Sequence, residues 1–410
     1  MDKQSERYLR VYPWFYGFSA DLLFYIAIDT LFLTLVKGFS AAEIVSLTSF
    51  SHLSCLVLQF PILFAIRRLG NTVSVRIGTF LLLCASLLIT FGESYAIVLL
   101  GKILKEAAVS FDGASVVALE NNLDLLGRRD EFVRYRARAT MTYSIITLLI
   151  SVVASYLFNV YRYLPMLCCV ATSATGFVLS LMLKDCSDRN RISSSTPKSR
   201  TRIRAGGLLV LVFVVYALFY LLVSNGQSEG KLFIQQQMLL SASEELTAVL
   251  IGVIVFASRL VRVLSNAVVK RLYERLHARL GVILTTLMSV AVCCLLFGSM
   301  IPIFAVKIVT MSLGYMIVLF SRDPFRLYIQ DVLFASTPRE QHQTLITALG
   351  FGLKLATAGV GLVYSAILVS FPMTVVVSIM LGISLVELAL GLLLYRAILR
   401  SRASVEVSAS

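Results

Sequence analysis

Twelve apolar stretches of about 20 residues or more, separated by short polar turns, leave this chain few folds to choose from. In hydrocarbon every backbone amide and carbonyl must bond within the protein, so a segment of that length crosses a bilayer as a helix. The stretches fall at 13–36, 43–66, 73–92, 95–119, 141–160 and 163–183, then at 206–224, 246–269, 279–298, 302–321, 344–370 and 374–395. Between the two sets lies one polar segment, Lys184 to Arg204, with seven Lys/Arg, two Asp and a serine run. The predicted organisation is an N-terminal six-helix bundle over 1–183, a cytoplasmic linker over 184–205 and a C-terminal six-helix bundle over 206–410. The predicted fold class is an all-α membrane protein of twelve transmembrane helices in two pseudo-symmetric bundles.

Composition removes the main competitors. At 58% hydrophobic and 15% charged residues the chain is more apolar than soluble domains. No polar stretch much exceeds about 20 residues, which leaves no room for an extramembrane domain. The first apolar stretch is too long for a signal peptide and lacks a small-residue cleavage site, so it is expected to stay in the mature protein. The net charge of +14 would suit nucleic acid only on a folded basic surface with interleaved aromatics. Here the cations lie in turns: three Lys/Arg (Lys37, Arg162 and Lys231) fall on one side of the twelve crossings and 27 on the other. The positive-inside rule then places both termini in the cytoplasm, in a cell-membrane protein without a nucleic-acid partner. The seven cysteines, six of them in apolar stretches, read as free thiols rather than a disulfide framework.

The halves also correspond residue by residue. Lys102 and Lys307 are 205 residues apart, Arg67-Arg68 and Lys270-Arg271 are 203 apart, and Arg129-Asp130-Glu131 matches Arg339-Glu340-Gln341. Parallel six-helix repeats are one architecture of secondary transporters. Over nearly its whole length the chain resembles the major facilitator superfamily. The most specific match is FDGASVVALENNLDLLGRRDEFVRYRARA, in which Gly113, Ala118, Leu119, Leu123, Gly127, Arg128, Asp130 and Glu131 fit the pattern of a bacterial branch of that superfamily. Asp112, Val117 and Asn121 depart from it. In LFAIRRLGNT, only Arg68 and Gly70 remain of the superfamily's loop motif between helices two and three, with Leu63 and Arg67 where a glycine and an acid belong. The resemblance therefore implies the fold and transport, but not the usual charge-linked inner latch. The fifth stretch lacks the Gly-Pro-Gly motif of drug/proton antiporters, which counts against a familiar drug exporter.

Ionisable residues inside a span are costly, so each needs a partner or a watery cavity. Eleven lie away from span ends: Asp21, Asp29, Lys102, Lys105, Glu106, Asp112, Arg259, Arg262, Lys307, Lys354 and Glu387. A rise of about 1.5 Å per residue puts Asp29 level with Lys102, Glu106 near the centre and Asp112 level with Asp21. The resemblance makes the first and fourth helices neighbours, so Asp29 is expected to pair with Lys102 or Lys105. Asp29 or Glu106 is the candidate proton carrier, and Lys102, Lys105, Lys307 and Arg259 are candidates for holding an anionic part of the substrate. Asp21, Asp112 and Arg68 are candidate gate residues. Arg262 is expected to snorkel to the cytoplasmic face, and Glu387 to be structural or lipid-facing. Gln235, Gln236 and Gln237 line a site only if the seventh helix continues past Asn225-Gly226.

These features predict a secondary transporter of a small organic solute that works by alternating access and is coupled to protons. It is expected to be a monomer without a cofactor or bound metal. Six basic against five acidic interior residues lean toward an anionic or zwitterionic substrate. An exporter of amphipathic or drug-like compounds shares these features. A lipid-modifying membrane enzyme is disfavoured by the lack of HExxH, paired His ligands or Gly-x-Ser-x-Gly, a channel by the lack of a filter-like segment, and ATP drive by the lack of a Walker A sequence.

Overall fold

The structure, a computed structural model, describes residues 2–186, 207–277, 279–337 and 342–409. Most of the predicted linker lies outside the described residues. The first half contains α1 (Asp2–Ser19), α2 (Leu23–Leu31) with a π-turn over Phe32–Val36, α3 (Ala41–Phe91), α4 (Tyr95–Ser110), α5 (Asp112–Leu125), α6 (Phe132–Val160) and α7 (Leu164–Met182). The second half contains α8 (Gly207–Leu239), α9 (Glu244–Leu276), α10 (Arg279–Gly298), α11 (Phe304–Ser336), α12 (His342–Leu368) and α13 (Met373–Ala409). No strand occurs among the described residues. Contacts group the chain into two compact units, Met1–Ser199 with Ala248–Val253 and Arg200–Thr247 with Ile254–Ser410.

Ten helices among the described residues are long and apolar enough to cross a membrane. Two places account for the difference from twelve predicted stretches. The stretches 43–66 and 73–92 run on as one helix, α3, of 51 residues. At about 1.5 Å per residue such a rod would be more than twice the thickness of a hydrocarbon core, but it is interrupted at Gly70, where φ is 78° and ψ 167°. Glycine alone adopts that conformation without strain, so the turn predicted between the stretches is compressed into one residue. The fourth stretch is broken into α4 and α5 at Phe111, and neither piece is long enough alone.

Helix starts are written in hydroxyls. Ser40 caps α3 in a reciprocal capping box with Glu43, and Ser94 and Ser243 accept from Ile97 N and Leu246 N to cap α4 and α9. Just beyond the first stretch, Lys37 donates to Thr90 O at 2.8 Å and lies over the Phe32 and Tyr163 rings. Burial holds its ammonium pKa below the ordinary lysine value, partly opposed by Glu93.

In the first unit, α1 packs on α6 and α7, and α3 packs on α4 and α7. Tyr8, Leu9, Tyr12 and Phe15 of α1 are buried with Ala114, Ala118, Leu119 and Leu123 of α5. In the second, α10 packs on α11 and α13, while α8 packs on α11, α12 and α13. Two helices extend beyond their predicted ends. α8 continues through Asn225-Gly226 to Leu239, so Lys231, expected in an outer turn, is 4% exposed. α11 continues through Pro324 to Ser336, so Asp323, expected in an inner turn, is 6% exposed.

Candidate functional site

The polar centre of the first unit forms where its first span breaks. Between α1 and α2 the ladder stops at Ala20 N to Tyr16 O and resumes at Ile26 N to Leu22 O. Asp21 occupies the gap and its Oδ1 accepts from Leu22 N at 2.8 Å, which places a carboxylate at the start of α2. A helix N-terminus favours such an anion, and half-helices meeting at membrane depth are how transporter folds build polar sites.

Lys105 of α4 reaches that carboxylate. Its Nζ lies 3.2 Å from Asp21 Oδ1 and 3.9 Å from Glu106 Oε1, with the three side chains 15–25% exposed. The ion partners of Lys105 are thus Asp21 and Glu106, not the Asp29 that straight-helix depths suggested. The break alters the register of the first span, and a lysine stem reaches a full helical turn. Lys102 Nζ donates to Thr48 Oγ1 at 3.0 Å, bringing in the hydroxyl-rich second span, and Asp29 Oδ1 accepts from Thr30 N at 2.7 Å.

Asp112 sits at the break between α4 and α5. Its Oδ1 accepts from Ser115 Oγ at 2.9 Å, and its Oδ2 lies 3.9 Å from Arg136 Nη2. Arg136 donates to Tyr12 OH at 2.8 Å and to Tyr16 OH at 3.5 Å, with its guanidinium 4.5 Å from the Tyr16 ring centroid. Sequence reasoning counted Arg136 among solvated turn cations. What it missed is that α6 already begins at Phe132, while the tyrosines four residues apart on α1 were the available signal. A cavity of about 20 Å³, enough for one water, separates Ser19 and Ala20 from Phe111, Asp112 and Ser115.

The third gate candidate behaves differently. Arg68 is exposed, stacks its guanidinium 4.5 Å from the Phe64 ring centroid and makes no ion pair among the described residues. The polar contact at this loop is carried instead by Asp185, just past α7. Its Oδ2 accepts from Asn71 Nδ2 at 2.8 Å and Asn121 Nδ2 at 2.9 Å, and its backbone N donates to Thr72 Oγ1 at 2.9 Å. A carboxylate held by two amides thus lies beside the turn at Gly70, in a loop whose own sequence has no acid.

The second unit has its own polar centre, on residues the sequence placed elsewhere. Arg262 Nε meets Asp323 Oδ2 at 2.9 Å and therefore does not snorkel free. Asn266 Nδ2 donates to the same oxygen at 3.5 Å, Arg322 Nη1 donates to Gln227 Oε1 at 3.2 Å, and Tyr220 OH donates to Arg322 O at 2.8 Å. Asn225, Glu229, Lys231 and Gln235 of α8 are all under 5% exposed, and the Ser228 hydroxyl donates to the Glu229 carboxylate. Of the predicted substrate ligands here, Lys307 donates to Gln237 Oε1 at 3.4 Å, one turn into α11, whereas Lys102 lies two turns into α4. The 205-residue correspondence therefore matches residue type but not depth. Arg259 is partly buried without an ion pair among the described residues. Glu387 is fully buried on α13, so it does not face lipid. No group of His, Cys, Asp and Glu able to hold a metal ion occurs among the described residues.

No family model matches the sequence, and no curated relative does. Solved structures do match in shape. The nucleoside transporter NupG superposes with a TM-score of 0.75 at 12% identity, over 96% of this chain and 99% of that one. The POT family transporter PepTSo gives 0.72 at 12% identity, over 97% and 98%. A bacterial homologue of the lysosomal transporter Spinster gives 0.64 at 11% identity, over 96% and 97%. With nearly full coverage of both partners and no strand among the described residues, the all-helical architecture of this chain has the fold of these solved transporters.

Proposed function

We propose that the protein is a secondary active transporter of a small polar organic solute, coupled to protons and working by alternating access. The observation that carries this is the broken first span, with Asp21, Lys105 and Glu106 clustered at the break. A fold that only scaffolds has no use for an interrupted helix and three charges where both are costly. Lys105, held between two carboxylates, is poised to respond when either takes up a proton. Glu106 and Asp29 are the assigned proton carriers, and Asp21 joins them on geometry.

The substrate assignment shifts with that geometry. Lys105 and Arg262 are each paired to carboxylates of the chain, so the cations available for an anion are fewer than the sequence count suggested. What remains within each unit is rich in amides, hydroxyls and tyrosine faces, such as the Tyr16–Tyr143 pair at 6.1 Å in the first and the Tyr216–Tyr220 pair at 4.6 Å in the second. That chemistry suits a neutral or zwitterionic solute with hydrogen-bonding groups and a planar moiety. Nucleosides, the solute class of the similarly folded NupG, are the first to test. Both termini are assigned to the cytoplasm and the protein to the cell membrane.

Proteoliposomes carrying the purified chain and driven by an imposed pH gradient test this. Uptake or efflux of one such solute should follow the gradient and be lost in Glu106→Gln or Asp29→Asn. Gradient-driven transport that persists in both would remove the proton-carrier assignment. Lys102→Ala should weaken substrate affinity about tenfold or more, as expected for a lost charge-assisted hydrogen bond.

A further inference from the structure

The first turns of α1 form a face that the transport reading does not use. At 3.6 residues per turn, Lys3, Arg7, Arg10 and Trp14 fall within about 60° of one another around the helix. All four are exposed, Trp14 by 58%. The opposite face is buried through Ser5, Tyr8, Tyr12 and Phe15, each at most 2% exposed. It is fixed by Ser5 Oγ to Asn122 Oδ1 at 3.0 Å, Tyr8 OH to Ser115 O at 2.9 Å, and Arg136 Nη1 to Tyr12 OH at 2.8 Å. The basic stripe is therefore held outward and does not roll. An open recess of about 240 Å³ lies along it, lined by Lys3, Glu6, Arg7 and Arg10.

We propose that this recess is a binding site for an anionic phospholipid headgroup bearing hydroxyl groups, such as phosphatidylglycerol. Trp14 is an amphipathic ring of the kind that settles at headgroup level. Arg10 and Arg7 lie about 6 and 10 Å further along the axis, where lipid phosphates sit, and Lys3 one turn beyond. The guanidiniums hold the phosphodiester, Trp14 packs on the glycerol backbone and first methylenes, and Glu6 accepts from a headgroup hydroxyl. Two net positive charges in the recess select anionic over zwitterionic headgroups. The proposal rests on the membrane reading, and on neither transport nor its coupling.

Trp14 is the single tryptophan of the chain, so its fluorescence reads this site alone. The full chain, purified in uncharged detergent, is titrated with short-chain phosphatidylglycerol, phosphatidylcholine and phosphatidylethanolamine, and with glycerol phosphate and inorganic phosphate. A saturable emission change with phosphatidylglycerol is expected, on the order of tenfold weaker in an Arg7→Gln/Arg10→Gln variant. An Arg271→Gln/Arg275→Gln variant, which removes equal charge from another exposed basic segment, should leave the titration unchanged. Equal responses to the zwitterionic lipids, equal affinity for the free phosphates, or equal weakening by the two double variants would each overturn the site. So would an unchanged titration in Arg7→Gln/Arg10→Gln, whose substitutions lie on an exposed face that the fold does not need. Because no transport is measured, failure here leaves the transport proposal intact, and the reverse also holds.

Discussion

Lys105 joins the two carboxylates at the break in the first span. Replacing it with methionine leaves Asp21 and Glu106 as like charges without their shared cation, in surroundings only 15–25% exposed. The expected cost is about 2 kcal/mol, because hydrogen bonds to charged groups contribute that much and their partial exposure keeps the loss below that of a fully buried pair. Thermal unfolding in detergent should show Lys105→Met as the destabilised single variant. Adding Asp21→Asn should recover about half of the loss, a coupling typical of side chains in contact. Additive effects would mean that the pair does not form. The sequence identified these residues as costly and therefore purposeful, but of the two pairings it allowed Asp29, with Lys102 or with Lys105, the second gives way to Asp21. Depth counted along a straight helix fails once Ala20 to Leu22 leave the helical path. Arg136 was lost for a related reason: a cation four residues into a helix reads as a turn cation until the helix start is known.

At the scale of elements, two differences between expectation and structure lie at glycines, Gly70 and Gly226. Gly78 of α3 faces the break in the fourth span, where an added Cβ would meet Phe111 Cβ at 2.7 Å. Gly78→Val should destabilise the protein by about 1–3 kcal/mol, the usual cost of overpacking, in the same unfolding assay. Gly113, two residues along from Phe111, has open space around it. Gly113→Ala should instead be neutral or stabilising by up to about 1 kcal/mol, because alanine removes the helical penalty of glycine. Gly226 looked like a helix terminator after Asn225 but is a packing residue, its Cβ position 3.0 Å from Val318. With α8 unbroken there, the polar run from Asn225 to Gln235 moves from a solvated loop to the interior. α11 likewise runs on through Pro324, since membrane helices tolerate a proline whose freed carbonyl finds other partners.

At the scale of the whole molecule, the fold was legible because the bilayer admits so few answers to long apolar repeats. Orientation follows from cation counting and remains a prediction. On a background with the native cysteines replaced, Glu93→Cys should react with a membrane-impermeant maleimide in intact cells, and Arg67→Cys only after permeabilisation. The opposite pattern would invert the topology. The candidate site was less legible than the fold because it depends on irregularities, namely the breaks at Asp21 and Asp112 and the continuity of α8 and α11. Hydropathy averages over windows longer than any of these features and so does not register them.

The gap in the first span has a mechanical corollary. Its lower piece is bolted to α5 and α6 through Tyr8 and Tyr12, whereas α2 shares no continuous hydrogen-bonded path with it. The upper piece, seated against α6 and α7 and tied to α4 through Asp21 and Lys105, can therefore move with those helices as a body separate from the stump below it. Welding the joint, for instance with Asp21→Ala to favour an unbroken rod, should slow solute exchange measured without a pH gradient, a readout that the loss of a proton carrier does not move.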